Sequence, residues 1–125
     1  MIIGIGVDTA QISRVRKAME REHFVKRVFT EEEMKQMDPK QNRGASDFAG
    51  KEAVVKVFGT GFGKVKANDI SILRDDAGAP YIKLSGAAKE RASEMGITSW
   101  HISITNTADL ATAFVIGCRE DDCAK

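Results

Sequence analysis

Apolar and polar residues alternate with two different periods along this chain of 125 residues. The first run, residues 2–8 (IIGIGVD), is apolar, β-rich and punctuated by glycine, which predicts a buried strand that ends at Asp8. From Ile12 the apolar residues recur at spacings of three and four, which predicts an amphipathic helix. A short apolar cluster around Phe24 and Phe29 follows it.

Two further helices are predicted in the middle of the chain. Thr30 is followed three residues later by Glu33, the pattern of a capping box, and we expect the short helix to end at Pro39. Residues 40–46 are polar and predict a mobile loop. Residues 46–58 form the longest apolar helical stretch, and Gly59 is placed as its C-terminal cap.

The last part of the chain predicts two hairpins. A glycine-rich loop over residues 59–68 precedes strands at 69–73 and 80–84, which a turn at 75–79 joins. A helix at 86–94 then leads to strands at 101–104 and 111–116. The resulting order β-α-α-α-β-β-α-β-β indicates an α+β fold with a mainly antiparallel sheet packed against helices.

Composition narrows the class of protein. The length fits a single domain over residues 1–125 with a polar tail from about residue 119, and the net charge of +1 favours neither nucleic acid nor a membrane surface as a partner. Cys118 and Cys123 match no zinc motif and indicate free thiols in a reducing compartment. No signal peptide or apolar stretch of about 20 residues is apparent, so we expect a cytoplasmic protein.

The candidate catalytic or ligand residues are carboxylates and a lysine on two predicted elements. Asp8 is either the cap of the next helix, which is slightly favoured by position alone, or a ligand displayed at the edge of the sheet. Glu52 and Lys56 share one face of a mostly apolar helix, and Lys51 lies about a quarter-turn away. The pair is either an ordinary helix ion pair or part of a working surface.

Three other patterns are less specific. The glycine loop at residues 59–63 fits neither phosphate-loop motif, and neither His23 nor His101 has a partner that indicates a hydrolase triad. Six cations cluster on the first helix and its sequel, where they form either a solvated face or a patch that steers an acidic partner. These cations are Arg14, Arg16, Lys17, Arg21, Lys26 and Arg27.

Taken in order, four segments resemble the motifs of holo-[acyl-carrier-protein] synthases, the small branch of the 4′-phosphopantetheinyl transferase superfamily. The first is G-I-G-V-D ending at Asp8, with I-S-R after it, and the second is F-A-G-K-E-A-V-V-K with F-G-T-G, over residues 48–61. The third is the hairpin over residues 69–84. The fourth is H-I-S-I-T-N-T running into A-T-A-F-V-I, so the resemblance covers essentially the whole chain.

The resemblance implies the fold of these transferases in a homotrimer, with active sites between subunits. It implies Mg²⁺-dependent transfer of 4′-phosphopantetheine from coenzyme A to a serine of apo-acyl carrier protein, with release of adenosine 3′,5′-bisphosphate. Asp8 and Glu52 become metal ligands and, with Lys56, the catalytic residues. Coenzyme A is assigned to Lys56, Gly59, Thr60, Gly61, Pro80, Thr105 and Asn106, and the carrier protein to Arg14, Lys17, Arg21 and Phe24. Whether Glu52 or a metal-held water accepts the serine proton stays open.

The sequence departs from the family pattern at two places. Thr105-Asn106 stands where many members have Ser-His, and Asn106 cannot become cationic as histidine can. Asp47 stands where arginine is common, which is expected to weaken a phosphate or carrier contact. Two alternatives follow: a homologue that binds without catalysing transfer, or a non-enzymatic trimeric module whose basic helix binds an acidic protein.

Overall fold

A computed structural model describes residues 1–37 and 43–120 of the chain. Its five helices and five strands follow one another in the order β-α-α-α-α-β-β-α-β-β. They are β1 (Ile2–Gln11), α1 (Ile12–Ala18), α2 (Glu22–Val28), α3 (Glu31–Gln36), α4 (Arg43–Phe58), β2 (Ile70–Arg74), β3 (Pro80–Leu84), α5 (Gly86–Met95), β4 (Ser99–Asn106) and β5 (Leu110–Cys118). None of the helices in these two ranges is long and apolar enough to cross a bilayer.

The strands form two antiparallel sheets. The larger sheet has the order β1-β5-β4, with Asp8 opposite Ala113 and Asn106 opposite Ala111. The smaller sheet is the β2–β3 hairpin, whose turn is held by the Asp75 carboxylate, which accepts hydrogen bonds from the backbone N–H groups of Ala77 and Ala79 at 2.9 Å. The predicted α+β class with antiparallel pairing is confirmed.

Helix α4 is the centre of the core and packs on β1 and β5. Glycines in β1 permit the close approach, because a Cβ on Gly6 would overlap the carbonyl oxygen of Ala53 and a Cβ on Gly4 would press on Val57. On the other side of α4, Gly50 lies against Ile72 of β2. The helix is therefore packed between both sheets, in accord with its mostly apolar sequence.

The prediction of a buried first strand ending at Asp8 is wrong in two respects. Strand β1 continues to Gln11, because β5 pairs with it along this whole length. Among the residues that the structure describes, helices cover only one face of the larger sheet. Alternate side chains of β1 therefore point outward, and Ile5 and Val7 are 60% and 50% exposed. A run of apolar residues such as 2–8 thus predicts a strand that is buried on both faces, although one face of the strand is exposed in the isolated chain.

Two helical segments differ from the sequence-based prediction. Helix α2 was not predicted, since its apolar residues are too few to show a period; Phe24 packs its ring against those of Phe29 and Phe48. Helix α4 begins at Arg43, not at residue 46, because Gly44 lies against Met19 of α1. Pro39 as a helix end, residues 40–42 of the loop, Cys123 and the tail from residue 121 lie outside the described residues.

Candidate active site

Asp8 lies inside β1 on the side that faces α4. Its Oδ1 atom is 3.0 Å from Nζ of Lys56, which also donates to the carbonyl oxygen of Val7 at 2.9 Å. Asp8 does not cap α1: the N-cap residue is Gln11. The helix-cap interpretation of Asp8 is therefore wrong, and its carboxylate is displayed beside α4.

Glu52 is one turn before Lys56 on α4 and is half-buried. Burial raises the pKa of the Glu52 carboxyl, the negative charge of Asp8 raises it further, and the Lys56 ammonium lowers it. The two carboxylates are thus close enough to repel each other, although one is on a strand and the other on a helix. The structure brings together the three residues to which the family resemblance assigns catalysis.

The pair of carboxylates fits a hard divalent cation. Mg²⁺ binds oxygen ligands, typically one or two carboxylates together with substrate phosphates and waters. Like charges that repel each other in a half-buried position gain from a cation placed between them. No group of three or more His, Cys, Asp or Glu side chains that could hold a metal occurs in residues 1–37 and 43–120. The remaining ligands of an ion at Asp8 and Glu52 would accordingly come from water and substrate.

A groove of about 340 Å³ runs beside the end of β1. Its lining is mainly apolar, and Arg14 supplies the cationic group. Residues of β1, α1, α2 and α4 line it: Thr9, Ala10, Gln11, Arg14, Val15, Ala18, Phe24 and Phe48. Two of the residues assigned to carrier binding, Arg14 and Phe24, thus share one groove that begins one residue beyond Asp8.

The other cations of the basic cluster differ in their surroundings. Lys17 is exposed on α1, and Arg21 is exposed at the start of α2. Lys26 forms an exposed ion pair with Glu22 at 3.0 Å, one turn away on α2, which accords with a solvated face. Arg14 thus places positive charge in the groove, and Lys17 and Arg21 add exposed positive charge on α1 and at the start of α2.

The residues assigned to coenzyme A are spread over several elements. Gly59 and Gly61 have φ angles of 73° and 66°, and the Gly59 N–H donates to the Val55 carbonyl, which confirms the predicted glycine cap of α4. Thr60 is exposed between them. Pro80 begins β3 in the smaller sheet.

Thr105 and Asn106 end β4 with different orientations. Thr105 pairs with Thr112 and is exposed on the outer face of the larger sheet. The Asn106 side-chain amide hydrogen-bonds the hydroxyl of Ser46 on α4 at 3.0 Å. Asn106 thereby ties the end of β4 to the first turns of α4, a contact that the sequence did not indicate. His101 is exposed on the same strand.

Two buried ion pairs behind the site were missed by sequence reasoning. Lys51 and Glu33 side chains are fully buried, with Nζ 2.6 Å from Oε1. Asp47 is buried and lies 3.0 Å from the Arg74 guanidinium. Burial raises the pKa of Asp47 to about 7, against the lowering effect of Arg74. Asp47 therefore contacts β2, and its position does not support the expected effect on a phosphate or carrier contact.

Comparison with known proteins gives one consistent result. The sequence matches the 4′-phosphopantetheinyl transferase superfamily over residues 4–115. It is 49% identical over 117 residues to the holo-[acyl-carrier-protein] synthase of Lachnoclostridium phytofermentans, covering 94% of this chain and 96% of that one. It is 42% identical to that of Clostridium tetani over 93% of this chain and 95% of the relative.

Solved structures of the same kind match the fold. The Neisseria meningitidis holo-[acyl-carrier-protein] synthase superposes with a TM-score of 0.85 at 32% identity, covering 95% of this chain and all of that one. The Helicobacter pylori synthase in complex with coenzyme A superposes with a TM-score of 0.82 at 32% identity, over 91% of this chain and 99% of that one.

Proposed function

The chain belongs to the 4′-phosphopantetheinyl transferase superfamily and is an enzyme of the holo-[acyl-carrier-protein] synthase type, and from this premise we propose its reaction. The enzyme transfers 4′-phosphopantetheine from coenzyme A to a serine of apo-acyl carrier protein, with Mg²⁺ as cofactor and adenosine 3′,5′-bisphosphate as the second product. The observation that carries the proposal is that Asp8, Glu52 and Lys56 lie together, although Glu52 and Lys56 follow Asp8 by 44 and 48 positions in the chain.

The roles of the three residues follow from their chemistry. Asp8 and Glu52 would hold Mg²⁺, which supplies charge neutralisation and polarisation of the diphosphate when it is bound. Lys56 would exchange its contacts with Asp8 and the Val7 carbonyl for a phosphate oxygen, since about half of its side chain is exposed. The proton of the serine hydroxyl would pass to Glu52 or to a water beside it.

The bond changes then balance. The serine oxygen forms a bond to the phosphorus that carries pantetheine, and the bond from that phosphorus to the bridging diphosphate oxygen breaks. The leaving group departs as adenosine 3′,5′-bisphosphate. Lys56 stabilises the charge that develops on the phosphate oxygens.

Carrier binding is proposed at the groove beside β1. Arg14, Lys17 and Arg21 would attract the acidic surface of a carrier protein, and Phe24 would contact its apolar residues. This position brings the carrier serine to Asp8, at the end of the groove.

A homotrimer is proposed from the outer face of the larger sheet. Ile5 and Val7 of β1 and Leu110 and Phe114 of β5 are exposed there by 41–60%, which is costly for an isolated chain of this size. Association through this face would cover them and place Thr105, which is exposed on the same face, near a neighbouring subunit's residues. We further propose a cytoplasmic role in lipid biosynthesis, where the free Cys118 stays reduced.

The reaction is tested by incubating the protein with apo-acyl carrier protein, coenzyme A and Mg²⁺ and weighing the carrier by mass spectrometry. A mass gain of one phosphopantetheine that a chelator abolishes supports the proposal. Binding of the carrier without a mass gain would instead support the alternative of a non-catalytic homologue, for which Thr105-Asn106 and Asp47 are the sequence arguments. No binding at all would contradict both.

A further inference from the structure

A single buried ion pair joins α4 to α3, to β2 and to the turn that precedes β2. All three N–H groups of the Lys51 ammonium have acceptors: Oε1 of Glu33 on α3 and the carbonyl oxygens of Ala67 and Ile70, before and at the start of β2. The Phe29 ring lies 5.7 Å from the same ammonium. Lys51 is therefore saturated and unavailable to any ligand.

Glu33 is equally saturated. Its Oε1 accepts from the Thr30 backbone N–H at 2.9 Å, and its Oε2 accepts from the Ile72 backbone N–H at 3.0 Å. The same carboxylate thus completes the capping box of α3, pairs with the open edge of β2 and neutralises Lys51. The pair is a fixed junction and not a loose surface contact.

We propose that the Glu33–Lys51 ion pair positions Glu52 by fixing the rotation of α4 about its axis. Lys51 directly precedes Glu52 on the helix, and its anchor points lie on the side of α4 away from β1. The glycine contacts of β1 hold the opposite side, where Gly6 meets Ala53. Glu52 lies between these two restraints. This inference rests on the proposed function, in which Glu52 and Asp8 hold Mg²⁺.

A small rotation of α4 would displace Glu52 far enough to affect catalysis. Side-chain ends lie about 5–6 Å from a helix axis, so a rotation of about 10° would move the Glu52 carboxylate by about 1 Å. A displacement of that size in a catalytic site can lower a rate by about 100-fold. If the pair served stability alone, replacing it by apolar residues would leave the Glu52 carboxylate in place and the rate unchanged. Such replacements of buried ion pairs often cause no loss of stability, so the rate can be compared in a folded variant.

The test replaces the pair by apolar residues of similar size, Glu33→Leu with Lys51→Met. The matched control is Glu32→Leu with Lys83→Met, which removes the exposed ion pair between α3 and β3 at 2.9 Å. Affinity for Mn²⁺ is measured by electron paramagnetic resonance in the presence of coenzyme A, together with kcat, the carrier KM and the thermal midpoint.

The positioning role predicts Mn²⁺ affinity at least tenfold weaker and kcat about 100-fold lower, with carrier KM and the control variant unchanged. Wild-type Mn²⁺ affinity and kcat in a folded double variant would overturn the inference. Glu33→Gln with Lys51→Gln, which retains hydrogen-bonding groups, gives the same comparison should the apolar version not fold.

Asp8→Asn and Glu52→Gln are measured in the same assay to separate the two proposals. If they leave Mn²⁺ affinity unchanged, the proposed metal site itself is wrong. If they weaken it and the Glu33–Lys51 variant does not, only the positioning role fails.

Discussion

Oδ1 of Asp8 lies 3.0 Å from Nζ of Lys56, although the two residues are 48 positions apart in the chain. The contact exists because Gly6 has no side chain, which lets β1 lie against the backbone of α4 at Ala53. One turn earlier on the same helix, Glu52 is close enough to Asp8 for the negative charge to raise its pKa. The G-I-G-V-D segment thus brings the carboxylate of a strand residue beside a helix.

The first prediction concerns the two carboxylates. Asp8→Asn and Glu52→Gln should each lower turnover by at least about 100-fold, because each removes one of the two anionic oxygen ligands available to Mg²⁺. Turnover is measured by mass spectrometry of the carrier, and folding by circular dichroism. Glu32→Gln, which alters an exposed acid on α3, is the control and should keep wild-type turnover. Unchanged rates in either site variant would refute the ligand assignment.

Much of the fold was predictable because local signals agree with tertiary packing. The Thr30–Glu33 capping box, the Gly59 cap and the hairpin turn at Asp75 all form as predicted. Failures occurred where the answer depends on distant residues. The outer side chains of β1 are exposed because no helix in the described part of the chain covers that face, and the run of residues 2–8 alone cannot show this.

The second prediction concerns the approach of β1 to α4. Gly6→Ala should lower the free energy of unfolding by about 1–3 kcal/mol, because the new methyl group overlaps the Ala53 carbonyl and forces the elements apart. Turnover should fall as Asp8 moves away from Glu52. Urea unfolding measures the first effect and the carrier assay the second.

Gly63→Ala is the matched control for stability. A Cβ at Gly63 would meet no atom within 4 Å, and the backbone of Gly63 is not left-handed. The free energy of unfolding of Gly63→Ala should therefore differ from that of wild type by less than about 1 kcal/mol. Equal losses in the two variants would show that the close contact at Gly6 has no special cost.

The third prediction concerns the basic residues at the groove. Arg14→Glu combined with Arg21→Glu should raise the carrier KM by about 10- to 100-fold and leave the KM for coenzyme A unchanged, since like charges would then face the acidic carrier. Steady-state kinetics with each substrate varied in turn gives both constants. Lys89→Glu, an exposed reversal on α5, should leave both KM values unaltered. A parallel rise in both constants would refute the docking assignment.

The candidate site was only partly predictable. The motif resemblance located Asp8, Glu52 and Lys56, but it did not indicate what supports them. Lys51 was expected only to point away from Glu52, and its buried pairing with Glu33 could not be read from spacing, because α3 and α4 meet through tertiary packing alone. The Thr30–Glu33 capping box was the one available signal, since it already placed Glu33 in a structural role.

The fourth prediction concerns self-association. Phe114→Lys should convert a trimer into a monomer in size-exclusion chromatography with light scattering, because it places a charge in the apolar outer face of the larger sheet. Tyr81→Lys is the matched control: Tyr81 is 44% exposed against 41% for Phe114, but it lies on β3 in the smaller sheet and should leave the trimer intact. A monomeric wild-type protein would contradict the proposed assembly.

The fifth prediction is a pH dependence of stability that Asp47 causes. Burial raises the pKa of Asp47 from its ordinary 3.8 to about 7, so between these values the folded chain holds a proton that the unfolded chain has lost. Stability from this group is full below about pH 4 and is lost as pH rises through about 7. The loss is on the order of a few kcal/mol, a figure that already contains the lowering effect of Arg74 on the pKa of Asp47.

Asp47→Asn isolates this contribution because asparagine has a similar shape and does not titrate. The free energy of unfolding in urea is measured from pH 4.5 to 8 for wild type, for Asp47→Asn and for Glu32→Gln, which replaces an exposed acid on α3. Across this range the free energies of unfolding of wild type and Glu32→Gln should fall in parallel. The free energy of unfolding of Asp47→Asn should fall by a few kcal/mol less. Parallel slopes in all three proteins would mean that Asp47 is ionised throughout, and that Arg74 compensates fully for its burial.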